Sequence, residues 1–126
     1  MRKLVLLTVV VLMAAATNLN AQSLQNTAWK VYIDQIHDTI TLHILKDSSF
    51  VTGSDGEVLV RSVCKVGKDT LSMRDYEGKY YCPDGEGVYK VEVSGNELSF
   101  FLVNDPCEGR TGSINGTKWI RVVDKH

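Results

Sequence analysis

From residue 27 onward, apolar and polar side chains alternate in short runs, and no run keeps the spacing of an amphipathic helix. Trp29, Val31 and Ile33 fall on one face of the first run, with Lys30 and Tyr32 on the other, which predicts a strand with one buried side. After a connection at 34–38, the segment 39–45 points Ile40, Leu42 and Ile44 one way and Thr41 and His43 the other. Lys46-Asp47-Ser48-Ser49 has turn chemistry, a brief strand follows at 50–52, and Gly53-Ser54-Asp55-Gly56 ends it. In 57–66, Val58, Val60, Ser62, Cys64 and Val66 oppose Leu59, Arg61 and Val63, a less clean division. A turn at 67–69 leads to a strand at 70–74, and the polar stretch 75–86 reads as the main loop. Two apolar runs, 88–93 and 98–103, flank Ser94-Gly95-Asn96-Glu97 and predict a β-hairpin. A loop at 105–115 with room for one helical turn precedes a last strand at 116–123. Eight short strands with turn signals between them predict an all-β fold, an antiparallel eight-stranded barrel or sandwich, and the short connections favour a simple up-and-down order. The segment Val63-Cys64-Lys65-Val66 with Leu71-Ser72 is echoed by Val88-Tyr89-Lys90-Val91 with Leu98-Ser99, as two similar hairpins would be.

The start of the chain follows a different rule. Arg2 and Lys3 precede an apolar run at 4–16 and a polar segment ending on a small residue, the pattern of a secretory signal peptide spanning 1–21, with cleavage after Ala21. The run is shorter than the roughly 20 residues a spanning helix needs; a retained anchor is the alternative. The expected domain is then 22–126. Of 14 Lys and Arg, loss of Arg2 and Lys3 leaves 12 against 15 Asp and Glu, a net charge of −3 with no basic excess to attract nucleic acid. Export implies a secreted or periplasmic protein with no membrane span after cleavage, in an oxidising compartment where disulfides persist.

That compartment gives the cysteines a meaning. Extending the hairpin from Val93 opposite Leu98 puts Gly87 opposite Asn104 and brings Cys82 level with Cys107, so a structural disulfide is expected across the open end. The two lack Cys-x-x-Cys spacing, which argues against redox or metal chemistry. Cys64, beside valines, reads as a buried inert thiol; intermolecular pairing or exchange with Cys82 is the alternative.

The chain resembles the lipocalin-like, or calycin-type, group of small secreted bacterial barrels. The resemblance rests on a tryptophan in the first strand, the all-β meander and a final-strand Trp-x-Arg element, Trp119-Ile120-Arg121. In that group an arginine from the last strand packs over the first tryptophan, which implies that Arg121 closes the barrel against Trp29. Thr27 stands where the group has glycine. The element Asp105, Cys107 and Arg110 also looks like one common in lipocalin-like secreted proteins, and Arg110 pairing with Asp105 would hold the loop. The resemblance implies that the eight strands close into an up-and-down barrel, with a cup for a small apolar ligand and no catalytic residue.

Other candidate chemistry is thin. His37-Asp38, with His43, lacks the frame of a hydrolase or zinc site, and a loop histidine with a strand-surface histidine accounts for them better; His126 is simply terminal. Asp84 and Glu86, with Asp105 and Glu108, lack the alternation of a calcium loop and read as solvated turn residues. Asn115-Gly116-Thr117 fits an N-glycosylation acceptor where the source has that machinery. Tyr76, Tyr80 and Tyr81 on the long loop, near Tyr89, are either a binding surface or a cap on one barrel end.

The function expected is therefore non-catalytic, with no metal and no cofactor. A small apolar or amphipathic ligand would be lined by Trp29, Val31, Ile40, Leu42, Tyr89, Val91, Phe100 and Leu102. The alternative is a protein-interaction module, such as an inhibitor of an exogenous enzyme, acting through the 75–86 loop.

Overall fold

The structure, a computed structural model, describes residues 24–123. The expected signal segment 1–21 and His126 lie outside the described residues. Eight strands run β1 Thr27–Ile33, β2 Asp38–Ile44, β3 Ser48–Thr52, β4 Val58–Val66, β5 Thr70–Glu77, β6 Glu86–Ser94, β7 Glu97–Asn104 and β8 Lys118–Arg121, with a helix α1, Glu108–Ile114, between the last two. Each strand pairs antiparallel with the next, and β8 pairs with β1, so the sheet is a closed barrel in up-and-down order. Closure removes both sheet edges.

The pairings explain the irregular stretches of the sequence. β4 is less cleanly amphipathic because it bulges: Val51 pairs with Val60 and Thr52 with Val58, leaving Leu59 unpaired and turned inward beside Val60. A second shift leaves Tyr76 without a partner between Asp75 and Glu77, and β5 runs on through residues expected to begin the loop. The true loop is 78–85. A third shift places Val88, not Gly87, opposite Asn104; the extra residue is Val103, and the hairpin's extrapolated register is off by one at its open end. The disulfide forms nonetheless, Cys82 to Cys107 with Cα atoms 6.4 Å apart, because the loop rather than the ladder carries Cys82 to its partner. The two echoed hairpins share one burial pattern, with Cys64 and Tyr89 buried, Lys65 and Lys90 exposed, and Leu71 and Leu98 buried.

The barrel's two halves differ. At the end holding the 67–69 and β6–β7 turns, Leu24, Trp29, Ile44, Cys64, Leu71 and Leu98 are each no more than 1% exposed and fill the interior. Arg121 pairs with Trp29 across the closing strands, its guanidinium carbon 5.7 Å from the ring centroid. The other end, formed by a 3-10 turn at Asp34–Ile36, the 53–57 turn, the 78–85 loop and α1, is not filled.

Candidate functional site

The unfilled half is a cavity of about 410 Å³. Ile40, Leu42, Val51, Val60, Met73, Phe100 and Trp119 build its apolar wall, and the exceptions on that wall are Ser49, Ser62 and Asp75. Three segments surround the mouth: Ile33, Gln35 and Ile36 from the β1–β2 connection, Tyr80 to Pro83 from the long loop, and Gly109, Arg110, Ser113 and Ile114 from α1.

Helix α1 is a poor helix on its own terms. Seven residues with two glycines fall well short of the roughly 12–15 an isolated helix needs. It is held by tertiary bonds. Its N-cap, Cys107, is the disulfide half-cystine and accepts from the Arg110 N–H. The Arg110 side chain, 5% exposed, donates from Nε and Nη2 to the two oxygens of Asp105, each at 2.8 Å, and from Nη2 to the Gly85 carbonyl at 3.0 Å. Asp105 also accepts from the Cys107 N–H and from the Tyr89 hydroxyl. Across the mouth, Asp75 accepts from the Ser62 hydroxyl at 2.7 Å and the Cys82 N–H at 2.9 Å. Arg110 Nη1 lies 3.3 Å from Asp75 Oδ2 but makes no hydrogen bond and is itself buried.

The close packing of this cluster requires glycine at two points. A Cβ on Gly87 would lie 2.6 Å from Asp105 Oδ2 and 3.0 Å from Arg110 Nε. Gly78, at φ +121°, turns the loop so tightly that a Cβ would meet the Leu59 carbonyl at 2.3 Å.

Burial opposes ionisation of Asp105, but the bonds from Arg110, Tyr89 and the Cys107 N–H outweigh it and hold its carboxyl below the ordinary value. Burial, reinforced by the Asp105 carboxylate, pushes the Tyr89 phenol up to about 12. Burial opposes the charge on Arg110 too, and the two aspartates more than compensate. Two carboxylates thus face one guanidinium, an excess of one negative charge beside an apolar cavity.

Of the expected lining residues, Ile40, Leu42 and Phe100 reach the cavity. Trp29 and Val91 lie in the core, and Val31 packs against it. Tyr89 is fully buried with its hydroxyl on Asp105. Leu102 aligns with Tyr89 but is 42% exposed, since β8 pairs with β7 only as far as Ser99. Tyr80 and Tyr81 stand at the mouth, about half exposed. Tyr76 is in β5, exposed, and outside the lining. His43 stacks on Phe50 at 4.3 Å and bonds Thr52 on the barrel exterior. It is six residues along the chain from His37, roughly 20 Å in an extended strand. Among the described residues, no three His, Cys, Asp or Glu side chains gather as metal ligands, and no helix is long and apolar enough to cross a membrane.

The sequence does not single out Asp75 of β5 and Ser62 of β4, polar residues that turn inward, or Trp119 as part of the wall. Thr27, too, reads from the sequence as a mere departure. In each of two Thr-x-Trp elements the indole N–H donates to the threonine hydroxyl, Trp29 to Thr27 at 2.7 Å and Trp119 to Thr117 at 2.8 Å. Each hydroxyl in turn donates to a carbonyl three residues back, Leu24 and Ile114. The repeat of Thr-x-Trp was the available signal. Comparison of the chain with family models, with curated proteins and with solved structures yields no match.

Proposed function

We propose that this is an exported, lipocalin-like binding protein, without catalytic activity, that holds a small apolar or amphipathic molecule in the open half of its barrel. The observation that carries this reading is the apolar-walled cavity of about 410 Å³, within the ~300–1,000 Å³ typical of small-molecule sites. A barrel needing only stability would gain from filling that space, as it does around Trp29. The rim is braced by a disulfide and a buried ionic cluster, which suits a pre-formed site. Export is supported by the disulfide, which persists in oxidising compartments. Kinship with lipocalins is supported by the up-and-down barrel and by Arg121 against Trp29.

A second reading, docking of a protein partner, is favoured by Tyr80 and Tyr81, 48% and 45% exposed at the rim. Native mass spectrometry of protein purified from its source separates the two. Retained small-molecule mass, lost on mild denaturation, is the result expected. A stoichiometric protein partner with an empty barrel would favour the rim, and neither would contradict both.

A further inference from the structure

We infer that the molecule held in the cavity carries a hydroxyl, which bridges Arg110 and Asp75 at the inner rim. The inference rests on the ligand-binding reading above and assigns the head group of that ligand. Among the described residues, Asp75 and Arg110 are the only charged ones lining the cavity. Every other hydrogen bond made by these two side chains is 2.7–3.0 Å long. Their own contact is the exception: Nη1 to Oδ2 is 3.3 Å, without hydrogen-bond geometry, and Nη1 is a buried donor with no acceptor. Buried donors left so carry a penalty that a suitable acceptor removes.

The chemistry of that gap selects the head. Nη1 needs a better-aligned acceptor than Asp75 Oδ2 offers, and the Asp75 carboxylate, itself only an acceptor, can take a further donor. One group that accepts from the first and donates to the second is a hydroxyl. A carboxylate head would satisfy Nη1 but add a third negative charge to a cluster already carrying an excess of one. An ammonium head could donate to Asp75 but would oppose Arg110. Asp105, with no exposed side-chain surface, takes two bonds from Arg110 and leaves it little charge to spend on an anion. Nη1 is shielded, so the hydroxyl enters by parting this weakest contact of the rim. At roughly 30 Å³ per heavy atom, as for water in the liquid, the cavity of about 410 Å³ accommodates an otherwise apolar body of about a dozen atoms.

The test compares 1-decanol, its isomer 1-methoxynonane and decanoate on the full-length protein, by calorimetry and by tryptophan fluorescence, which Trp119 on the cavity wall makes sensitive. Decanol should bind about fivefold to tenfold tighter than the ether, the ratio one net hydrogen bond supplies, and decanoate weakest at pH 7. In Asp75→Leu, checked for the intact Cys82–Cys107 link, the alcohol's advantage should shrink to within about twofold while the ether still binds. Ether binding equal to decanol in the wild type would mean the rim is served by water or not at all, and overturns the head assignment alone. Tighter binding of decanoate, or an undiminished alcohol advantage in folded Asp75→Leu, also overturns it. If none of the three binds, the ligand reading fails and the head assignment with it. The wild-type comparison decides even if the variant does not fold.

Discussion

Two threonines and an aspartate show how single hydrogen bonds hold the ends of the barrel. Thr27 and Thr117 each take a buried indole N–H and pass their own proton to a turn carbonyl. Thr27→Val or Thr117→Val leaves an indole donor unsatisfied at nearly unchanged volume, and each should cost about 1–3 kcal/mol in urea unfolding. The Thr117 change should also alter the fluorescence of the Trp119 wall. The Asp105 carboxylate is linked to pH in the ordinary sense for a lowered pKa. Its contribution is present above the unfolded value of about 3.9 and is lost as pH falls through the lower folded one. Tyr89 has the opposite sign: its phenol, about 12 when folded, stabilises below about 10 and stops doing so as pH rises through the folded value. Stability measured from pH 2 to 12 should therefore fall at both ends. Tyr89→Phe should flatten the alkaline limb, and an unchanged limb would contradict the assignment. These roles were only partly legible. The pairing of Asp105 with Arg110 is legible at the hairpin's open end, whereas Asp75 is not: it continues the inward alternation of Leu71 and Met73, but a polar residue leading into a glycine-containing polar stretch reads as loop.

Among elements, α1 and the 78–85 loop depend on each other more than on their own propensities. The loop supplies Cys82 and the Gly85 carbonyl; the helix supplies Cys107 and Arg110. Replacing both cysteines in Cys82→Ala/Cys107→Ala should cost ~2–4 kcal/mol. Loss of protection in hydrogen exchange should concentrate in α1 and the loop, leaving β1 and β2 unchanged. Uniform loss across the barrel would contradict this coupling. Cys64 should take no part. Burial, only partly offset by a bond from Ser49, pushes its thiol to about 11, so it should resist alkylation in the folded protein with or without the disulfide. The strands themselves were readable because alternation with period two survives wherever one face is buried. Bulges at Leu59, Tyr76 and Val103 break that period without any composition signal, which is why the hairpin register slipped and the loop was drawn too early. The helix was underestimated because its two glycines argue against it and only the Arg110 cluster overrides them.

For the molecule as a whole, eight antiparallel strands in up-and-down order are legible from strand count and short connections, and the resemblance adds their closure into a barrel, but the division into a filled and an open half is not legible. Trp29 and Phe100 both alternate inward, and only the register of neighbouring strands places one in solid core and the other on a cavity wall. This division is the central claim and is tested most directly by filling the open half. Val51→Trp introduces a bulky ring into the apolar wall, while Val66→Trp adds the same ring at a partly buried position packed against the filled core, outside the lining. Affinity for 1-methoxynonane, measured by calorimetry on both variants and the wild type, is the deciding quantity. If the cavity exists as described, Val51→Trp folds with wild-type stability or better and loses binding by at least about tenfold, whereas Val66→Trp is destabilised by about 1–3 kcal/mol through overpacking and retains affinity where it remains folded. Equal binding by Val51→Trp and the wild type, or a destabilisation of Val51→Trp as large as that of Val66→Trp, would contradict an open half in the barrel.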